Sequence, residues 1–209
     1  MSDPVMQKDS SLNAIPAVST PRKNNFLDAS LITSFVVAGL VALIIRLFIA
    51  APYIVSGPSM EPNFHDYNYL IVDRLTYRFS EPQRGDVIVF NLPQMNDRAL
   101  IKRVIGLPGD TVSLSDTEPK VTIINAAHPD GVVLSEPYIS PSDFGGTSNA
   151  QYTLKKDEYF VLGDNRKVSA DSRMWGILPR SDIVGRVLFR LYPLDSIQTL
   201  PAMSRYTNL

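Results

Sequence analysis

In Leu100-Ile101-Lys102-Arg103-Val104-Ile105-Gly106-Leu107-Pro108-Gly109-Asp110, a run of apolar and β-branched residues ends on a Pro-Gly turn. Such residues suit a pleated, half-buried surface, and Pro-Gly-Asp supplies the chemistry that turns the chain away from it. Two cations interrupt the run. Successive side chains on a strand leave on opposite faces, so Lys102 and Arg103 do not share surroundings. Comparable short runs occur at Tyr69–Asp73, Asp86–Asn91, Thr111–Leu114, Val121–Ile124, Tyr159–Leu162 and Ile183–Leu191, with Arg84-Gly85-Asp86 among the punctuation between them. Sixteen prolines and eleven glycines agree with many turns. The prediction is an all-β domain over residues 53–192. A more polar excursion is inserted at about 115–149, in which Ser140–Asn149 reads as an exposed loop, and a C-terminal tail follows at 193–209.

The chain before this domain reads differently. Residues 1–27 are rich in Ser, Pro, Asn and charge and read as a disordered tail. From Ala29 to Ile45 the run ASLITSFVVAGLVALII carries no charge, and after Arg46 it stays apolar to Pro52. A bilayer core takes roughly 20 apolar helical residues, so residues 28–52 are predicted to be a transmembrane anchor. Arg46 can snorkel to the headgroups near its far end. Arg22 and Lys23 flank the near side, which places the N-terminus in the cytoplasm and the β domain outside. A cleaved signal peptide fits less well, because Ile49 and Pro52 flank the Ala50-Ala51 pair where it would be cut.

Composition removes several function classes. With 20 basic and 21 acidic residues, no concentrated positive charge suggests nucleic acid as a partner. Without cysteine there are no disulfides, thiolate metal sites or cysteine nucleophiles. The two histidines, His65 and His128, stand in no metal-ligand spacing and read as turn residues. The Gly-x-Ser-x-Gly elbow, Ser-x-x-Lys and phosphate-binding glycine patterns are all missing.

Four segments remain. They are Ser56-Gly57-Pro58-Ser59-Met60-Glu61-Pro62; Tyr69-Leu70-Ile71-Val72-Asp73-Arg74 with Arg84-Gly85-Asp86-Val87-Ile88-Val89-Phe90; the run around Lys102 quoted above; and Gly163-Asp164-Asn165-Arg166-Lys167-Val168-Ser169-Ala170-Asp171-Ser172-Arg173. Singly, each reads as ordinary turn or strand sequence. In this order, after an apolar segment, the set resembles the bacterial type I signal peptidases over about Leu31 to Leu191.

The resemblance implies that Ser59 is the nucleophile and Lys102 its general base. It implies that Ser169 orients the lysine amine, that Asp171 and Arg173 form a supporting ion pair, and that Asp164 and Arg166 shape the same region. The Ser59 N–H is one expected oxyanion donor; the family's second donor position is Gly57 here, leaving backbone or Ser56 to serve. Asn63 stands where threonine is common in the family, a difference expected to matter little. Ile54, Met60, Phe64, Leu100 and Ile101 match the apolar lining of the substrate site, with ordinary core packing as the competing reading, above all for Phe64. The fold implied is one of coiled, partly barrel-like antiparallel sheets on one transmembrane helix. Preprotein signal peptides, cleaved after small-x-small sites, the lipid bilayer and the export machinery are the implied partners, and no metal or organic cofactor is needed.

The chemistry is consistent on its own terms. A serine hydroxyl needs a base within hydrogen-bond reach. A free lysine, with a pKa of about 10.4, is protonated at neutral pH, and apolar neighbours such as Leu100–Ile101 and Val104–Ile105 lower that value. From Pro52, seven extended residues reach at most roughly 25 Å, which keeps Ser59 near the membrane surface. Two other readings fit parts of the pattern. A self-cleaving Ser–Lys regulator would carry a DNA-binding helical domain where this chain has its apolar segment. A membrane-anchored binding protein would not require all the dyad residues.

Overall fold

The computed structural model describes residues 25–44, 46, 49–92, 98–115, 120–145, 149–204 and 206. Residues 1–24, and with them most of the predicted tail, lie outside the described residues. The chain divides into two compact units, residues 1–41 and 42–209.

Helix α1 runs Asn25–Ile44, and Leu31, Ile32, Phe35, Val36 and Leu40 on it are exposed. Among the described residues no helix is long and apolar enough to cross a membrane. The apolar stretch read as running to Pro52 is not one element. Residues Ala50–Ile54 form strand β1, which pairs antiparallel with β2 (Tyr69–Asp73), Pro52 lying opposite Ile71. Proline donates no hydrogen bond and is accepted on an edge strand, whereas a helix interior rejects it.

Among its described residues the second unit holds two sheets. The larger also contains β3 (Val87–Leu92), β4 (Arg98–Gly106), β9 (Glu158–Leu162), β10 (Leu178–Pro179), β11 (Ile183–Tyr192) and β12 (Gln198–Thr199). Its order is β1-β2-β11-β3-β4-β9-β10, with β12 beside β11, and its pairings are antiparallel. The sheet ends at β1 and β10, and among the described residues neither sheet closes into a barrel, so the antiparallel sheets expected are present without a closed barrel. Within β3, Val87 and Val89 belong to a core with Met60, Phe64, Leu70 and Val72, while Ile88 and Phe90 belong to another with Val104, Tyr159 and Val161. That period-two alternation is what a strand buried on both faces requires.

The smaller sheet has the order β7-β6-β5-β8, from β5 (Thr111–Leu114), β6 (Val121–Ile124), β7 (Val132–Val133) and β8 (Ala150–Thr153). The excursion thus contributes β6 and β7 to an ordered layer, and Val112, Ile123 and Leu134 pack there with Phe160 and Leu162 of β9. The segment read as a C-terminal tail also folds back: Gln198–Thr199 pairs with β11, Ala202 packs against one core and Tyr206 against another.

Candidate active site

Ser59 sits on the turn after β1. Gly57 takes φ +94°, a left-handed conformation that glycine adopts without strain. The Pro58 carbonyl then accepts the Glu61 N–H, and the Met60 carbonyl accepts those of Asn63 and Phe64. Met60 and Phe64 are fully buried and fix the turn from beneath. Ser59 is left half-buried.

Lys102 comes from β4, where it lies opposite Ile88 of β3. Its Nζ is 2.8 Å from the Ser59 Oγ and 2.8 Å from the Ile101 carbonyl, towards which the amine turns back along its own strand. The residue is 2% exposed. Burial pushes its pKa down to about 8 from the ordinary 10.5; Asp171 and Asp164 oppose that shift and Arg173 adds to it. An amine in this state exchanges protons near neutral pH while touching a hydroxyl.

Arg103, the next residue, is buried completely and is neutralised in another way. Its Nε and Nη2 donate to the two Asp164 oxygens at 2.8 and 2.6 Å, and Nη1 donates to the Gly85 carbonyl at 3.0 Å and to that of Ala202. Burial works against its charge, but the Asp164 charge and hydrogen bonds together reverse this and raise its pKa. Paired guanidinium and carboxylate planes of this kind survive burial because each donor and acceptor is used.

Asp164 belongs to the loop after β9. The Asn165 N–H donates to the Ser59 carbonyl at 3.1 Å, joining the loop to the serine turn. Gly163 makes the approach feasible: a Cβ there would stand 2.5 Å from the Ser59 carbonyl oxygen and 2.2 Å from the Ser169 Oγ. The loop is braced by Asp171, which accepts the Gly163 N–H at 3.0 Å and pairs with Arg173 through two bonds of 2.8 Å. Asp171 also caps the short helix α2 (Ser172–Trp175), and the Ser172 hydroxyl accepts the Val161 N–H at 3.0 Å. Arg166 pairs with Glu136 from the excursion rather than with Asp164.

Three residues depart from their expected places. The Ser169 hydroxyl does not hold the lysine amine: among the described residues it has no hydrogen-bond partner, and the amine's second contact is the Ile101 carbonyl. The serine is buried against Gly163 instead. Met60 and Phe64 are core residues beneath the turn and do not line the cleft, because turn closure points both side chains inward. The cleft of about 100 Å³ beside Ser59 and Lys102 is lined by Ile54, Leu100 and Ile101, and also by Tyr53, Ser56, Leu70, Val89 and Ala99.

Asn63, expected to matter little, is tied directly to the Asp164 loop. Its amide donates to Asp164 Oδ2 at 2.8 Å and to the Tyr138 carbonyl at 2.9 Å. The available sign was faint: an uncharged polar residue between Met60 and Phe64, both apolar.

A family model described as signal peptidase, peptidase S26, matches residues 29–192. A signal peptidase I of Leptolyngbya laminosa is 39% identical over 201 residues, covering 90% of each chain. A signal peptidase I of Bacillus licheniformis is 32% identical over 194 residues, 86% of this chain and 96% of its own. A solved signal peptidase I from Enterococcus faecalis V583 is 33% identical, covering 52% of this chain and 97% of its own at a TM-score of 0.41. The class is that of a hydrolase, a serine peptidase. Within that class, the chain belongs to the signal peptidase family S26.

Proposed function

We propose that the protein is a membrane-bound endopeptidase that removes signal peptides from preproteins by a Ser59–Lys102 dyad. The observation that carries this reading is the 2.8 Å contact between a buried amine, with a pKa lowered to about 8, and the Ser59 hydroxyl. The neutral Lys102 amine takes the Ser59 proton as Oγ attacks the scissile carbonyl. The resulting ammonium gives that proton to the departing amine, the C–N bond breaks, and the signal peptide stays esterified to Ser59. Lys102, neutral again, then takes a proton from water, whose oxygen attacks the ester; the ammonium returns that proton to Oγ as the C–Oγ bond breaks, releasing the acid and restoring the Ser59 hydroxyl. The Ser59 N–H serves the developing oxyanion, with Ser56 at the cleft rim as a candidate second donor. Asp164 with Arg103, and Asp171 with Arg173, keep the 163–173 loop against the serine turn.

Substrate geometry follows from β4. It pairs with β3 over Arg98–Arg103, but its pairing with β9 starts only at Arg103. Among the described residues no strand pairs with the other edge of the Arg98–Lys102 stretch, next to the cleft, and an extended peptide adds there as a strand. A cleft of about 100 Å³ suits small side chains, in keeping with small-x-small sites. The uncharged sequence Ala29–Ile45 and the exposed Leu31, Ile32, Phe35, Val36 and Leu40 support attachment to a membrane, and Arg22 and Lys23 support a cytoplasmic N-terminus with the catalytic unit outside.

The test is mass spectrometry of products from the purified full-length protein and a preprotein carrying an Ala-x-Ala site. Cleavage after the second alanine is expected, and its loss in Ser59→Ala. Undiminished cleavage in that variant would remove the serine from the chemistry.

A further inference from the structure

We infer that Asn63 and Tyr138 are positioning residues, which hold the Ser59 turn and the Asp164 loop in register from outside the dyad. The inference rests on the Ser59–Lys102 reading and adds to it a role for the excursion. The side-chain amide of Asn63 has two hydrogens, and both are used, on two different segments. One goes to Asp164 Oδ2 at 2.8 Å and the other to the Tyr138 carbonyl at 2.9 Å. Asn63 is itself fixed to the serine turn, its N–H donating to the Met60 carbonyl at 3.0 Å and its carbonyl accepting from Arg190 Nη1 at 2.7 Å.

A closed circuit results. From Ser59 the chain runs to Asn63, the amide bonds to Asp164, and the following residue, Asn165, returns a 3.1 Å bond to the Ser59 carbonyl. Geometry set at any point on this ring is transmitted to the backbone that carries the nucleophile. Displacements of about 1 Å at a reacting group cost roughly 100-fold in rate.

Tyr138, from the excursion, holds the ring at two further points. Its aromatic face lies 3.9 Å from the Arg103 Cζ, the guanidinium that grips Asp164. Its hydroxyl donates to Glu136 at 2.6 Å and lies 2.7 Å from the Tyr206 hydroxyl of the C-terminal segment. Glu136 pairs with Arg166, whose Nε donates to the Gly163 carbonyl at 2.9 Å. The excursion and the C-terminal segment thus converge on the 163–166 loop through one tyrosine. Neither residue lines the cleft, and their side-chain hydrogen bonds go to groups other than the dyad, so their loss acts on turnover rather than on substrate binding.

The experiment compares kcat and KM for preprotein cleavage in wild type, Asn63→Ala, Asn63→Asp and Tyr138→Leu, with the melting temperature of each. In Asn63→Ala, kcat is expected to fall about tenfold with KM within twofold of wild type. Asn63→Asp removes the donor and sets a second carboxylate against Asp164, so its kcat falls further. Tyr138→Leu lowers kcat in the same way, and the double variant with Asn63→Ala is no worse than the poorer single one, since both open the same ring. Should Tyr138→Leu fail to fold, the half-buried Asn63 variants decide alone. Wild-type kcat in Asn63→Ala, or a loss confined to KM or explained by unfolding, overturns the positioning role. It leaves the dyad reading in place, because that depends on Ser59→Ala.

Discussion

Lys102 and Arg103 are neighbours on β4, both are buried, and they meet the cost of burial in opposite ways. Arg103 stays charged against Asp164, while among the described residues Lys102 has no carboxylate in hydrogen-bond contact and rests on a hydroxyl and a carbonyl. Burying an unpaired ammonium is unfavourable, so the group gives up its proton at a lower pH than a free lysine does. The strand therefore carries one structural cation and one latent base, a single residue apart.

That difference has a consequence for stability. The folded-state pKa of Lys102 is lowered to about 8 against an ordinary 10.5, so between these values the unfolded chain binds more protons than the folded one. Stability accordingly rises as pH climbs through this window, and below it the full cost of a protonated, buried amine is present. Lys102→Met removes the cost at similar volume. We expect an inactive protein that is more stable than wild type by about 2–3 kcal/mol at neutral pH. Denaturant unfolding at neutral pH and near pH 10 checks this, the gap closing at the higher value.

Gly163→Ala separates geometry from stability at the loop contact. The new methyl would meet the Ser59 carbonyl oxygen at 2.5 Å and the Ser169 Oγ at 2.2 Å, so the serine turn must move. Overpacking of this kind costs about 1–3 kcal/mol. The loss in kcat/KM is expected to reach at least about 100-fold, because the displaced group carries the nucleophile. Cleavage rates measured well below the variant's melting temperature distinguish the two effects.

Side chains assigned to the core and to the cleft respond differently to truncation. Met60→Ala and Phe64→Ala empty the packing beneath the turn and are expected to lower stability by about 2–5 kcal/mol. Ile101→Ala instead widens the cleft, leaves stability less affected and relaxes the preference for small residues at the cleavage site. A panel of preproteins with Ala, Val and Leu at the two preferred positions, scored by mass spectrometry, makes the comparison.

Much of the scaffold could be read directly from residue patterns. Tyr69–Asp73, Thr111–Leu114 and Val121–Ile124 are strands over the predicted residues, because β-branched and aromatic runs bounded by turn residues have few other uses. Ala50–Ile54 was hidden within an apolar run that extends the α1 sequence, and Ala150–Thr153, with the sequence AQYT, has too little apolar character to signal a strand. Within the site, Ser59 and Lys102 come forward through the resemblance of four segments taken together, and the structure sets them in contact. Met60 and Phe64 went astray because position along the chain does not reveal which way a turn closes. Ser169 did too, since a hydroxyl's partner depends on how loops stack around Gly163. Asn63 and Tyr138, 75 residues apart, meet only through tertiary packing, which no local pattern encodes.

The most direct test of the Ser59–Lys102 chemistry is kcat/KM for preprotein cleavage as a function of pH, in wild type and Lys102→Ala. For wild type, the logarithm is expected to rise with unit slope and level off above about pH 8, where the amine is free. Lys102→Ala is expected to lose activity by about 10⁴-fold or more throughout. A wild-type profile flat from about pH 6 to 9, or a Lys102→Ala variant that still cleaves at a comparable rate, would contradict it.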